Sequence, residues 1–158
     1  MKGIRVPMIV RWPGHVPAGT MSNRPTGFDD WTPTLLELAG GAAPPAGETD
    51  GVSFAPTLLG LPDRQQPREF LYWEFPSYGG QQAVRLGDWK GIRQNLLKKW
   101  KPGEAVDMSI ELYNLKDDIG EQRNVAKAHP EIVARIAKIM AEQHVPSTLF
   151  PFAPLDRP

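Results

Sequence analysis

The chain contains no cysteine. That absence excludes a disulfide framework and any thiolate-ligated metal within these residues, but it does not identify a compartment. Charge of one sign is also missing: 18 Lys and Arg balance 18 Asp and Glu over 158 residues. No net field therefore favours nucleic acid or an acidic membrane surface. No run of 18 apolar residues occurs, so no segment reads as a membrane-spanning helix. Met1 to Arg11 is broken by Arg5 and Pro7 and offers no apolar region of signal-peptide length. Histidine is scarce. His15, His129 and His144 lie far apart in sequence, so no helix presents a two-histidine metal pair. A phosphate loop, a dinucleotide fingerprint, a zinc-protease helix and a nucleophile elbow are all lacking.

What the chain has in quantity is punctuation. It carries 17 prolines and 15 glycines without a period, which implies many turns rather than a fibrous repeat. Its length suits one core with an attached arm. Val6 to Trp12 reads as a short buried strand, stopped by Pro13-Gly14. Asp30 to Ala39 reads as a helix capped by Asp29 or Asp30, with Phe28, Trp31, Leu35 and Leu38 along one side and Gly40-Gly41 at its end. Phe54 to Leu59 predicts one helical turn. From Arg68 to Phe75 the period changes to two, the mark of a strand. Gln82 to Leu86 and Trp89 to Gln94 form a hairpin around Gly87-Asp88. Leu96 to Ser109 reads as exposed, and Ile110 to Leu115 as a fourth strand. A helix from Pro130 to Gln143 carries the stripe Ile132, Val133, Ile136, Ile139 and Met140. Glu131 and Arg135 can pair on its outer face. The proline-rich tail 146–158 lies over the surface or frays. The expected architecture is a mixed α/β piece: a strand and helix in 1–67, then a small antiparallel sheet with a terminal helix in 68–145.

Several polar residues are candidates for a site. Glu74 interrupts the aromatic run Tyr72-Trp73-Glu74-Phe75, where a lone buried carboxylate would be costly. Arg85 is its expected internal partner, and contact with a polar substrate is the alternative. Arg5 is read as a structural anchor, or as a group that places an anion. His15, in the loop after the first strand, is a surface residue or faces a ligand. Tyr78 beside Gly79-Gly80 is a substrate lip or a simple connection, and Gln82 follows it. Asp30 caps a helix, and Asp117-Asp118 occupies a solvated turn.

In their order, these blocks resemble a known family. Gly3-Ile4-Arg5-Val6-Pro7-Met8-Ile9-Val10-Arg11-Trp12-Pro13-Gly14, with Pro17-Ala18-Gly19, is similar to the segment that follows the catalytic lysine in type I sulfatases of the arylsulfatase family. Asp30-Trp31-Thr32-Pro33-Thr34-Leu35-Leu36-Glu37-Leu38-Ala39-Gly40 resembles a helix of that family. The blocks Asp50-Gly51-Val52-Ser53-Phe54-Ala55-Pro56 and Leu58-Leu59-Gly60 follow in order. Gln82-Ala83-Val84-Arg85 and Gly87-Asp88-Trp89-Lys90 resemble its C-terminal sheet. Glu111-Leu112-Tyr113-Asn114-Leu115, Asp118, Glu121 and Asn124 resemble its closing signature, with Ile119 where proline is usual.

The resemblance implies the end of an alkaline-phosphatase-like sulfatase core, followed by a four-stranded antiparallel sheet packed on a C-terminal helix. For a complete enzyme it implies sulfate-ester hydrolysis by a formylglycine, with calcium stabilising the sulfate oxygens. The formylglycine derives from a Cys/Ser-x-Pro-x-Arg motif, and this chain has none. The family's catalytic lysine precedes the first block by several residues, and Lys2 does not match it. No catalytic residue, metal ligand or cofactor is therefore carried onto these residues. Glu74, Tyr78, Gln82 and His15 stand as candidates for the substrate pocket, supported by Arg5, Asp30 and Arg85. The expected partners are a separate N-terminal catalytic portion or a second copy, met through apolar surface, and a sulfated small molecule or glycan for the complete enzyme. Three alternatives stay open: a subunit of a split sulfatase, part of a related phosphatase or phosphonate hydrolase, and a non-enzymatic sugar-binding or interaction module.

Overall fold

The computed structural model describes residues 6–42, 44–45, 48–98 and 104–156. Arg5 lies outside them. The described residues divide into two compact units, 6–68 and 69–156.

The first unit is built on helix α1 (Trp31–Leu38) and the short helix α2 (Ala55–Leu58), followed by a 3-10 turn at Pro62–Arg64. Phe54 and Ala55 are fully buried, and the Trp31 ring meets Phe54 edge-on at 5.0 Å. The two helices are joined by polar groups as much as by apolar ones. Thr34 Oγ1 donates to the Asp30 carbonyl at 2.6 Å and accepts from the Phe54 amide at 3.0 Å, which ties α1 to the entry of α2. Helix α1 buries Pro33 and Thr34, whereas Leu35, Leu36 and the preceding Phe28 are exposed. Of the apolar stripe read from the sequence, Phe28 and Leu35 thus face outward within this unit, while Trp31 packs on Phe54 and Leu38 is half-buried.

Two further expectations need correction here. Residues 6–12 form no strand, and Val6 and Ile9 are largely exposed. A strand persists only when its backbone donors and acceptors are paired, and no partner strand exists for this segment among the described residues. Asp30 occupies the N-cap position of α1, but its side chain makes no cap hydrogen bond. Its carboxylate is used elsewhere, as shown below.

The second unit is a four-stranded antiparallel sheet in the order β1 (Phe70–Phe75), β2 (Gln81–Leu86), β3 (Trp89–Arg93), β4 (Glu111–Asn114), packed on helix α3 (Pro130–Gln143). The registers place Tyr72 opposite Val84, Val84 opposite Gly91, and Gly91 opposite Leu112. Strict alternation puts these residues on one face. That face carries Val84, Leu86 and Leu112, which form the core with Ile136, Ile139 and Met140 of α3. Gly91 is required where α3 comes closest, since a Cβ there would lie 2.6 Å from Ile136 Cγ2.

The opposite face carries Leu71, Ala83, Lys90 and Ile92, all buried. Lys90 Nζ donates to Glu121 Oε2 at 2.6 Å, an ion pair with both side chains almost wholly enclosed. Leu96, expected to be exposed, is buried because the chain folds back and its amide donates to the Gly80 carbonyl at 3.0 Å. Arg135 pairs with Glu69 at 2.8 Å rather than with Glu131, which approaches His129 instead. The tail after α3 is anchored rather than frayed: Phe152 is 2% exposed.

Candidate functional site

Strand pairing decides which candidate residues meet. Glu74 lies opposite Gln82, and Gln82 lies opposite Arg93, so three strands bring these side chains to the face that α3 covers. Tyr72 shares that face, two residues from Glu74. Gln82 is 1% exposed and its side-chain amide makes three hydrogen bonds there. Its carbonyl accepts from Arg93 Nη1 at 2.9 Å. Its amide nitrogen donates to the Tyr72 hydroxyl at 2.9 Å and to the Met140 carbonyl at 3.1 Å. The Tyr72 hydroxyl in turn donates to Glu74 Oε1. Burial, reinforced by the Glu74 carboxylate, pushes the Tyr72 hydroxyl above its usual range, so it remains a donor. Burial also lowers the Arg93 guanidinium from its ordinary value.

His144 extends this chain of bonds. Its Nδ1 is 2.8 Å from Glu74 Oε1, and its Nε2 is 3.1 Å from Asp156 Oδ1. The second Asp156 oxygen accepts the Phe152 amide at 2.7 Å. The network thus runs from β3 through β2 and β1 to the end of α3 and the tail.

Arg85 is not part of it. Register pairs Arg85 with Leu71, on the opposite face from Glu74, so the expected Glu74–Arg85 pair does not form. Arg85 Nε instead donates to the Gly87 carbonyl at 3.2 Å in the hairpin turn. Tyr78 stands apart in the β1–β2 connection. It is 86% exposed and has a left-handed backbone, φ 56°.

In the first unit, Asp30 is fully buried and serves as a hub. Its Oδ2 accepts the Gly27 amide at 2.8 Å, and its Oδ1 accepts the Val52 amide at 2.7 Å. Arg68 Nη1 also reaches Oδ1, while Arg68 Nη2 donates to Asp29 Oδ2 at 2.6 Å. Gly51 makes this closure possible, since a Cβ there would fall 2.1 Å from the Asp29 carbonyl oxygen. Nearby, Arg24 has its Nε and Nη2 buried without a hydrogen-bond partner. Burial lowers its pKa, opposed by the charge of Asp30. His15 is exposed and stacks on Trp12, with ring centroids 4.0 Å apart. An open groove of about 760 Å³ lies beside it, lined by Met8, Trp12, Val16, Pro17 and Leu58.

Sequence reasoning missed Tyr72, Arg93, His144, Asp156 and Arg68. For His144 one signal existed: a histidine just past a helix end, twelve residues before an aspartate. Arg68 offered none, because its partners lie 38 and 39 residues away.

Among the described residues, no group of three or more histidines and carboxylates could hold a metal ion. Nor is any described helix long and apolar enough to cross a membrane.

Residues 1–145 match the family model described as N-sulphoglucosamine sulphohydrolase, C-terminal. A "Sulfatase" of Formosa agariphila is 30% identical over 136 residues, covering 81% of this chain and 24% of that protein. "Arylsulfatase G" of Rattus norvegicus is 30% identical over 151 residues, covering 89% of this chain and 28% of that protein. A solved structure described as Ps i-CgsB in complex with k-i-k-neocarrahexaose is 25% identical with a TM-score of 0.65, covering 83% of this chain and 27% of that one. The chain thus spans about a quarter of the length of these relatives. The chain belongs to the N-sulphoglucosamine sulphohydrolase C-terminal family and corresponds to the C-terminal portion of the sulfatases.

Proposed function

We propose that this chain serves as the C-terminal part of a sulfate-ester hydrolase and does not itself carry the chemistry. The observation that supports this most is the family match over residues 1–145. The nucleophile would come from a formylglycine-bearing portion outside these residues, since the sequence holds no cysteine and no Ser-x-Pro-x-Arg. Calcium would be bound by that portion too. The exposed apolar residues Val6, Ile9, Phe28 and Leu35 are the surface on which it, or a second copy of the chain, would dock.

The substrate class we favour is a sulfated sugar, because one solved relative is described with a carrahexaose bound. Tyr78 is the residue we assign to substrate contact. It projects into solvent, and Tyr is unusual in a left-handed backbone, a strained conformation often kept at binding sites. Glu74 and Gln82 act as positioning residues for the two strands that carry it. His15, stacked on Trp12, is the candidate in the first unit.

The test is the product formed by the complete protein that contains this chain. It should release sulfate from sulfated oligosaccharides. Preferential release of phosphate from phosphomonoesters would assign it to the related phosphatases instead, and binding of sulfated sugar without turnover would favour an interaction module.

A further inference from the structure

The His144 ring is held between two acceptors from different parts of the chain. Nδ1 faces Glu74 Oε1 on β1 at 2.8 Å, and Nε2 faces Asp156 Oδ1 in the tail at 3.1 Å. An ionised carboxylate only accepts, so both bonds exist together only when both ring nitrogens carry a proton. The neutral ring has one N–H and must give up one of the two.

His144 is the C-cap residue of α3, where the helix dipole favours a cation. The other titratable groups along this network are Tyr72, whose hydroxyl donates to Glu74, and Arg93, separated from the carboxylates by Gln82. On α3 itself, Lys138 and Glu142 are exposed and approach each other at 3.7 Å. The ring is about 10% exposed, so water does not readily replace a lost partner.

We propose that His144 is a proton-dependent clasp that fastens the tail 146–156 to the sheet. Protonation supplies the second N–H, which holds Asp156. Asp156 in turn receives the Phe152 amide at 2.7 Å, and Phe152 is buried at 2% exposure. When the proton leaves, the bond to Asp156 or to Glu74 is lost, and the strap formed by the tail loosens. Docking is therefore strongest on the acid side of the histidine transition, while the carboxylates are still ionised, and weakens as pH rises through it.

The experiment is nitrogen-15 NMR on the 158-residue chain across about pH 5 to 8, the range in which histidine changes charge. Two readouts are followed: the protonation of both His144 ring nitrogens, and the exchange protection of the Phe152 amide, corrected for intrinsic exchange. Both nitrogens should be protonated while the tail is docked. Phe152 protection should fall about tenfold across the range, the loss expected for one charge-assisted hydrogen bond. In His144→Gln, which cannot supply two donors along opposed directions, protection should be low and flat with pH. If that variant fails to fold, the ring signals of the unaltered chain still decide. A neutral His144 ring in the docked state, or Phe152 protection that does not change with pH, overturns the proposal.

Discussion

At the scale of single residues, the side chains that mark the family work for the fold. Asp30, Lys90, Glu121 and Asn124 all belong to the blocks that carry the resemblance. Asp30 closes two loops and holds Arg68. Lys90 and Glu121 neutralise each other inside the sheet unit. Asn124 Oδ1 accepts the Leu112 and Ala126 amides at 3.1 and 3.0 Å, which fastens the closing signature to β4.

The two neighbouring aspartates give a contrast that can be measured. Asp30→Ala leaves Arg68 and two amides without their buried acceptor, and should cost about 3 to 5 kcal/mol in chemical denaturation. Asp29 is 37% exposed, so Asp29→Ala should cost no more than about 1 kcal/mol despite contacting the same arginine. Tyr78 gives the opposite pattern. Tyr78→Gly relieves a left-handed backbone and should leave stability unchanged or raise it by about 1 kcal/mol. In the complete enzyme the same change should raise KM for a sulfated oligosaccharide with little effect on kcat. An unchanged KM would remove Tyr78 from the site.

At the scale of elements, periodicity was a sound guide wherever an element pairs within its own unit. The four strands, the hairpin at Gly87-Asp88 and helix α3 with its stripe were all legible, because alternation and the 3.6-residue period report directly which side is buried. It failed for residues 6–12, which find no partner strand among the described residues. Val6 to Trp12 has the composition of a buried strand and is exposed here, since apolar content alone cannot supply a hydrogen-bonding neighbour. The polar site was less legible for a related reason. Glu74 and Gln82 do belong to one hydrogen-bond network, but Arg85, expected beside Glu74, lies on the other face, because register, which sets the face, cannot be read from one strand.

The contact of α3 with the sheet tests the packing account. Gly91→Ala would press a methyl group against Ile136 and should destabilise by about 1 to 3 kcal/mol. Ile136→Ala in the same chain should recover part of that loss, because the two sites share one space. Additive costs in the double variant would show that α3 does not lie against Gly91.

At the scale of the whole molecule, length and motif order carry the functional conclusion. The chain accounts for 24% and 28% of two sulfatases that it matches at 30% identity. Its recognisable residues build a sheet packed on a helix, and the Gln82 network and the Asp30 hub bond strands, loops and tail together within their units. The family was legible from sequence because several short blocks recur in order. The chemistry was not, because the residues that perform it in the family are not among these. The most direct measurement is turnover of an aryl sulfate, with calcium present, by the purified 158-residue chain beside the complete protein that contains it. The account predicts sulfate release by the complete protein and none by the chain. Calcium-dependent turnover by the chain alone would contradict it.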